Sequence, residues 1–292
     1  MKSILVTGSL HYDIMLDADH RPEKGETVMG TTCRYKFGGK GGNQAVAAAR
    51  AGACVSFVGA VGDDEQGRFL LSHLAKANVD TSRVQVLQGV PSGMSVAITD
   101  AQGDYGAVVV SNGNQHIATT AFQTLGFWDD VAMLVLQNEV SSVLNKEVAS
   151  AAHARGVSVC LNAAPARSLD AELVACIDVL VVNAVEARDM CGVTVEDLAT
   201  ARAAAQTLSA TFPRVVVTAG EHGVAFSEKG QSAVLPAKKV TLVSTHGAGD
   251  CFVGVLCHSL AQGHSLGAAI AVANDAAAEH VSRGASVSSL GG

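Results

Sequence analysis

The chain has 292 residues, of which 48% are hydrophobic, 4% aromatic and 16% charged, with a formal net charge of -7. That is long enough to bury a substantial core, and too apolar for a disordered chain. The acidic balance argues against an electrostatic nucleic-acid or anionic-membrane partner, which would need clustered Lys and Arg. Seven cysteines, at 33, 54, 160, 176, 191, 251 and 257, form no C-x-x-C pair and mostly sit in apolar segments. They read as free thiols in a reducing compartment. The first apolar run, residues 4–6, is too short for a secretion signal, and no stretch approaches the ~18 apolar residues of a membrane helix. A cytoplasmic protein without a membrane partner is expected.

Residues 4–7 are a short buried strand ending at Gly8-Ser9. Residues 25–37 alternate Thr, Val, Met, Cys and Tyr, which predicts a half-exposed strand pair. Residues 43–51 are an alanine-rich helix closed by Gly52. A strand at 55–58 and a helix at 64–77 follow. Residues 94–99 and 105–110 alternate again around Asp100-Ala101-Gln102-Gly103, the pattern of a hairpin. The later chain is regular: strand 132–136, helix 141–155, strand 157–161, strand 179–182, helix 185–190, helix 195–211 and strand 215–218. Residues 225–227 and 233–235 flank Lys229-Gly230 as a second hairpin, residues 239–243 form a β-type run, and helices at 250–262 and 266–282 close the chain. Strands alternating with helices predict an α/β fold, a doubly wound and mainly parallel sheet with helices on both faces. The two alternating patches, about 11–37 and 91–112, are expected to form one small β lid inserted in a single domain of residues 1–292, with no internal repeat.

Two glycine-rich segments carry chemistry. In Thr245-His246-Gly247-Ala248-Gly249-Asp250 small residues open a helix, leaving backbone N–H groups and the helix dipole available to an anion. Asp250 in its first turn is placed to face both that anion and an incoming hydroxyl, although an acid at a helix start is also an ordinary cap. In Gly38-Gly39-Lys40-Gly41-Gly42-Asn43 the glycines let a ligand approach the backbone, while Lys40 and Asn43 offer donors. Neither a Walker A pattern nor a dinucleotide fingerprint after the first strand is present.

Together these segments resemble the ribokinase (PfkB) family of carbohydrate kinases. Residues 37–45 are similar to its N-terminal signature and residues 245–250 to its C-terminal signature. Leu161-Asn162-Ala163-Ala164-Pro165-Ala166-Arg167 and Asn183-Ala184-Val185-Glu186-Ala187 resemble two further landmarks in order, and the likeness runs from about Ile4 to Ser288. It implies ATP-dependent phosphorylation of a hydroxyl on a small sugar, ribose or a similar one. Asp250 would be the general base, and the N–H groups of Gly247, Ala248 and Gly249 would stabilise developing charge. His11, Asp13, Gly39, Lys40, Asn43 and Glu139 would line the sugar pocket. Asn183, Thr218, Gly220, Gly223 and Asn274 would contact ATP, with Glu186 holding Mg²⁺ through water.

The chain departs from the family pattern at three places. Ser244 stands where the C-terminal signature usually begins with Asp, which leaves open the K⁺ requirement that this Asp supports in ribokinases. His11 replaces the usual Asn, and His246 lies inside the anion loop, so the preferred sugar is open as well. The chain also stops soon after Arg283-Gly284-Ala285, without a final helix that many relatives have. A nucleoside kinase of the adenosine or pseudouridine type, with Tyr12 or Phe37 stacking on the base, is the close alternative. A non-catalytic sugar- or nucleotide-binding regulator and a Rossmann dehydrogenase are more distant ones. The exposed lid edge predicts a homodimer.

Overall fold

The computed structural model describes residues 2–124 and 126–283. The resemblance beyond Arg283, including the chain's final stretch near Ser288, lies outside the described residues.

Strand β1 (Ser3–Thr7) runs into β2 (His11–Ala18), which pairs antiparallel with β3 (Gly30–Gly38). Helix α1 (Lys40–Arg50), β4 (Val55–Gly62), α2 (Glu65–Lys76), β5 (Val79–Asp80) and β6 (Val84–Leu87) follow, with β5 and β6 both parallel to β4. The hairpin β7 (Met94–Thr99) and β8 (Tyr105–Val110) then precedes β9 (Val131–Gln137), α3 (Ser142–His153), β10 (Ser158–Asn162) and the short α4 (Ala171–Val174). Next come β11 (Val179–Asn183), α5 (Ala184–Cys191), α6 (Leu198–Leu208), β12 (Arg214–Thr218) and the hairpin β13 (Gly223–Glu228) with β14 (Gln231–Pro236). Helices α7 (Ala248–Ala261) and α8 (Leu266–Arg283) complete the fold.

Among the described residues, ten strands share one sheet in the order β14-β13-β12-β11-β10-β9-β1-β4-β5, with β6 also on β4. All its pairs are parallel except β12–β13 and β13–β14. Apolar runs such as Leu134–Leu136 are buried because helices cover both faces. Alternation along β1 and β9 sends Ile4, Val6 and Val135 toward α1, α2, α7 and α8, and Leu5, Leu134 and Leu136 toward α3 to α6. Helices α1 and α7 touch almost backbone to backbone. A Cβ at Gly254 would stand 2.5 Å from Gln44 O and 2.8 Å from Ala48 N.

Strands β3-β2-β7-β8 form a separate four-stranded sheet, the arrangement expected of a lid. Its register gives it two distinct faces. Tyr12 lies opposite Phe37, Ile14 opposite Tyr35 and Leu16 opposite Cys33, an apolar face. Asp13 lies opposite Lys36 and beside Ser95, on a polar one.

Several expectations need correction. The strand pair is formed by His11–Ala18 and Gly30–Gly38 rather than within residues 25–37, because alternation in β2 is blurred by its half-buried residues. Helix α1 begins at Lys40 rather than at residue 43, so Lys40, Gly41 and Gly42 are its first turn. Residues 239–243 form no strand; the N–H groups of Val243 and Ser244 instead donate to Val281 O on α8. Strands β5 and β6 were too short to read from alternation.

Candidate active site

The C-terminal ends of β1, β9 and β10 meet the N-terminal parts of α1 and α7, with the end of β11 within electrostatic reach of Lys40, in the crevice where open α/β sheets bind ligands. At its centre lies Asp250, in the first turn of α7 and only 8% exposed. Asn43 Nδ2 donates to Asp250 Oδ2 at 3.1 Å, and Gln44 Nε2 donates to Oδ1 at 3.0 Å. Burial pushes the Asp250 carboxyl above the usual carboxylate range, while Lys40, Gln44 and Asn43 pull against it. Gln44 is a site contact that periodicity concealed: it reads as one more residue of an alanine-rich helix.

Helix α7 is entered through Gly247 in the left-handed conformation, with φ of 75° and no side-chain cap. That turn bends Ala248 N–H back onto Thr245 O at 3.2 Å. The N–H groups of Gly247, Gly249 and Asp250 have no partner among the described residues. These three donors stay open at the start of α7, whereas Ala248 N–H, expected to be open too, is already engaged. Positive potential from the helix dipole adds to these donors. His246 is exposed; its N–H donates to Ser244 Oγ at 3.3 Å, and its carbonyl lies 2.9 Å from His280 Nε2.

The lid side holds the other acids. Asp13 Oδ1 accepts from Ser95 Oγ at 2.5 Å, and the absence of a side chain at Gly38 makes room, since a Cβ there would lie 2.0 Å from Asp13 Oδ2. Burial raises the Asp13 carboxyl, with Ser95, His11 and His246 opposing. Glu139, just past β9, accepts from Ser9 Oγ at 2.5 Å and from Lys40 N–H at 2.8 Å. His11 is 3% exposed; its Nδ1 lies 3.8 Å from Glu139 Oε2, and its Nε2 is buried without a partner among the described residues. Gly39 caps α1 with φ of 88°, pressed against Ser9 O and His11 N.

Opposite these, Asn183 and Glu186 form a complete capping box on α5. Asn183 Oδ1 accepts from Val185 and Glu186 N–H, and Glu186 Oε2 accepts from Asn183 N–H at 2.7 Å. Glu186 is buried, which raises its carboxyl, whereas Lys40 lowers it. Lys40 thus acts electrostatically on Glu186 and Asp250 together. Thr218 Oγ1 donates to Val182 O at 3.4 Å. Gly220 and Gly223 both have positive φ; a Cβ at Gly223 would lie 2.2 Å from Leu235 O. Asn274 Nδ2 donates to Pro236 O at 3.1 Å, so α8, the end of β14 and the turn at Gly223 meet there.

One cluster had no assigned role in the sequence. Arg167 Nη1 donates to Asn138 O and Val140 O, the carbonyls flanking Glu139, while its Nε and Nη2 are buried without partners among the described residues. Segment 161–167 thus braces the loop that carries Glu139. No group of three or more metal-binding side chains occurs among the described residues. No described helix is long and apolar enough to cross a membrane.

A buried carboxylate beside an anion cradle, facing further acids that can accept from hydroxyls, suits transfer of an anionic group to an alcohol. Comparisons agree. The family model described as pfkB family carbohydrate kinase matches residues 1–290. The chain is 36% identical to the ribokinase of Bacillus subtilis over 95% of its own length and 92% of that protein's. It is 31% identical to the ribokinase of Haemophilus influenzae, covering 99% and 95% respectively. The structure of Arabidopsis thaliana ribokinase complexed with ribose and ATP superposes with a TM-score of 0.88 at 26% identity, over 96% of this chain and 93% of that one. The chain belongs to the pfkB family of carbohydrate kinases, phosphotransferases that act on an alcohol group.

Proposed function

We propose that the chain is an ATP-dependent kinase of ribose or a similar small sugar, built as one domain over residues 1–292 with the four-stranded sheet as its lid. The observation that carries this reading is Asp250, buried and held by two amides beside three N–H groups without a partner among the described residues. Asp250 Oδ2 or Oδ1 takes the proton of the attacking hydroxyl, and the N–H groups of Gly247, Gly249 and Asp250 hold the transferred anionic group. Asp13, His11, Glu139, Gly39 and Asn43 bind and orient the sugar. Carboxylates suit that task because each can accept from neighbouring hydroxyls. Asn183, Thr218, Gly220, Gly223 and Asn274 hold ATP. Lys40 adds positive potential between Asp250 and Glu186. When bound, Mg²⁺ would neutralise phosphate charge, and Glu186, whose Oε2 accepts from Asn183 N–H, would hold it through water.

The lid register favours a sugar over a nucleoside. Tyr12 packs on Tyr35 and Phe69, and Phe37 stacks on His73, on the face opposite Asp13. Neither ring faces the pocket as a base platform would. The same apolar face exposes Tyr35, Val108 and Val110, and a second copy of the lid covering it would give the homodimer. None of the seven cysteines is joined in a disulfide, which suits the cytoplasm.

Purified protein with MgATP and a panel of sugars and nucleosides tests the reading by ADP release. Turnover with ribose or a related sugar is expected. Turnover with nucleosides alone would move the assignment to the nucleoside class, and binding without turnover to a non-catalytic regulator. Repeating the assay with K⁺ replaced by a bulky organic cation shows whether Ser244 leaves a cation requirement.

A further inference from the structure

Gln44 takes no part in the chemistry above, yet it touches the base. It is fully buried, and its Nε2 donates to Asp250 Oδ1 at 3.0 Å and to Asn162 Oδ1 at 3.2 Å. Asn162, at the end of β10, is itself oriented: its Nδ2 donates to Val181 O at 3.3 Å. A backbone carbonyl only accepts, so Asn162 must turn its amide oxygen toward Gln44. Gln44 must then answer with its NH₂ group, whose second hydrogen is left for Asp250. The arrangement leaves Gln44 Oε1 buried without a partner among the described residues. Buried acceptors are seldom left so without a reason. The flipped amide would set that oxygen against Asn162 Oδ1 and Asp250 Oδ1 at once, acceptor against acceptor.

We propose that Gln44 is a positioning residue for the base, locked as a donor by Asn162 and Val181, and that this relay fixes the carboxylate plane of Asp250. The inference rests on the assignment of Asp250 as base. Gln44 holds one carboxylate oxygen from within the core, and Asn43 holds the other from the pocket side. With a donor on each oxygen the carboxylate cannot swing about its Cβ–Cγ bond, and its ionised form is favoured against burial. The charged and titratable groups facing Asp250 are Lys40 on α1, Glu139 after β9 and Cys251 on α7. None of them donates to Asp250 Oδ1.

The test compares Gln44→Met, Asn162→Leu and their double variant with the wild type. In the protein without substrates, the infrared band of the protonated carboxyl, with Asp250→Asn as blank, reads the protonation of Asp250. Gln44→Met is expected to move that midpoint to higher pH. In assays with ribose and MgATP, it is expected to lower kcat about tenfold or more at neutral pH. The acid limb of kcat should move to higher pH, while KM for ATP changes less than about twofold. Asn162→Leu should shift both readings in the same direction by less, and the double variant should be no worse than Gln44→Met. An unmoved midpoint and acid limb in Gln44→Met, or effects of the two substitutions that simply add, would overturn the relay. Should Gln44→Met fail to fold, Asn162→Leu decides alone, because it frees the Gln44 amide to rotate without touching Asp250. A wild type inactive on every acceptor would defeat the proposed function while the infrared titration still reads the relay.

Discussion

Lys40 N–H donates to Glu139 Oε2 at 2.8 Å, so the loop after β9 is hooked to the first turn of α1. Because Ser9 Oγ donates to the same oxygen, one carboxylate joins the ends of β1 and β9 to the helix that carries Asn43 and Gln44. Glu139→Ala should cost about 1–3 kcal/mol of stability, the range for leaving partly buried donors unpaired. Glu139→Gln keeps an acceptor oxygen and should lose less. In the kinase assay both should raise KM for the sugar more than KM for ATP. Urea unfolding and the two KM values check this. Equal effects on both substrates would detach Glu139 from the sugar.

Removal of the proposed base should be seen in turnover before binding. Asp250→Asn is expected to lower kcat by ~10² or more, the scale of general-base catalysis. ATP affinity, measured by calorimetry, should be largely kept, since the N–H groups proposed to hold the phosphate belong to the backbone. Wild-type-like turnover would remove Asp250 from the mechanism.

The same substitution has a consequence for stability. Burial raises the folded-state pKa of Asp250 above its ordinary 3.8. The folded chain therefore holds that proton more tightly than the unfolded chain. Its contribution is fully present below the ordinary value and is lost as pH rises through the folded one. Asp250→Asn removes this titration. The stability of the variant relative to wild type should therefore grow with pH across that window and then level off. Urea unfolding of both proteins at a series of pH values measures the difference, and a pH-independent difference would contradict the burial effect.

Asn183 and Glu186 serve α5 whether or not they serve a metal. Asn183→Ala should cost ~1 kcal/mol as a lost N-cap, and Asn183→Ser should restore most of it. If the pair also serves ATP and Mg²⁺, Glu186→Gln raises the Mg²⁺ concentration needed for half-maximal turnover. A change in stability alone would assign the N-x-x-E spacing to capping.

The parallel sheet was legible because buried strands such as Val179–Asn183 are short, continuous apolar runs between helices with a clear face. The hairpin at Lys229-Gly230 was legible for a different reason, since both residues adopt the positive φ that a tight turn requires. Asp250 was legible from the small residues before it. The partners that control it were not. Gln44 and Asn162 belong to segments 118 positions apart, and amide polarity depends on a carbonyl, Val181 O, which no side-chain pattern encodes. Arg167 was hidden in the same way, because its partners are the backbone oxygens of Asn138 and Val140. Tyr12 and Phe37 were equally open as base platforms until strand register fixed which face they occupy.

The near-contact of α1 with α7 at Gly254 bears on how the chain is made. Asn43 and Asp250 are 207 positions apart. As the chain leaves the ribosome, α1 and the strand beside it emerge long before the helix that covers them. The small residues of α1 that later meet Gly254, with Val46 next to them, wait without their cover through most of synthesis. An intermediate of that kind exposes apolar surface to other chains. The alanine-rich make-up of this helix, which permits the close fit, also keeps that waiting surface shallow. Substitutions that enlarge it should therefore burden newly made chains through aggregation as well as through a poorer fit in the finished protein.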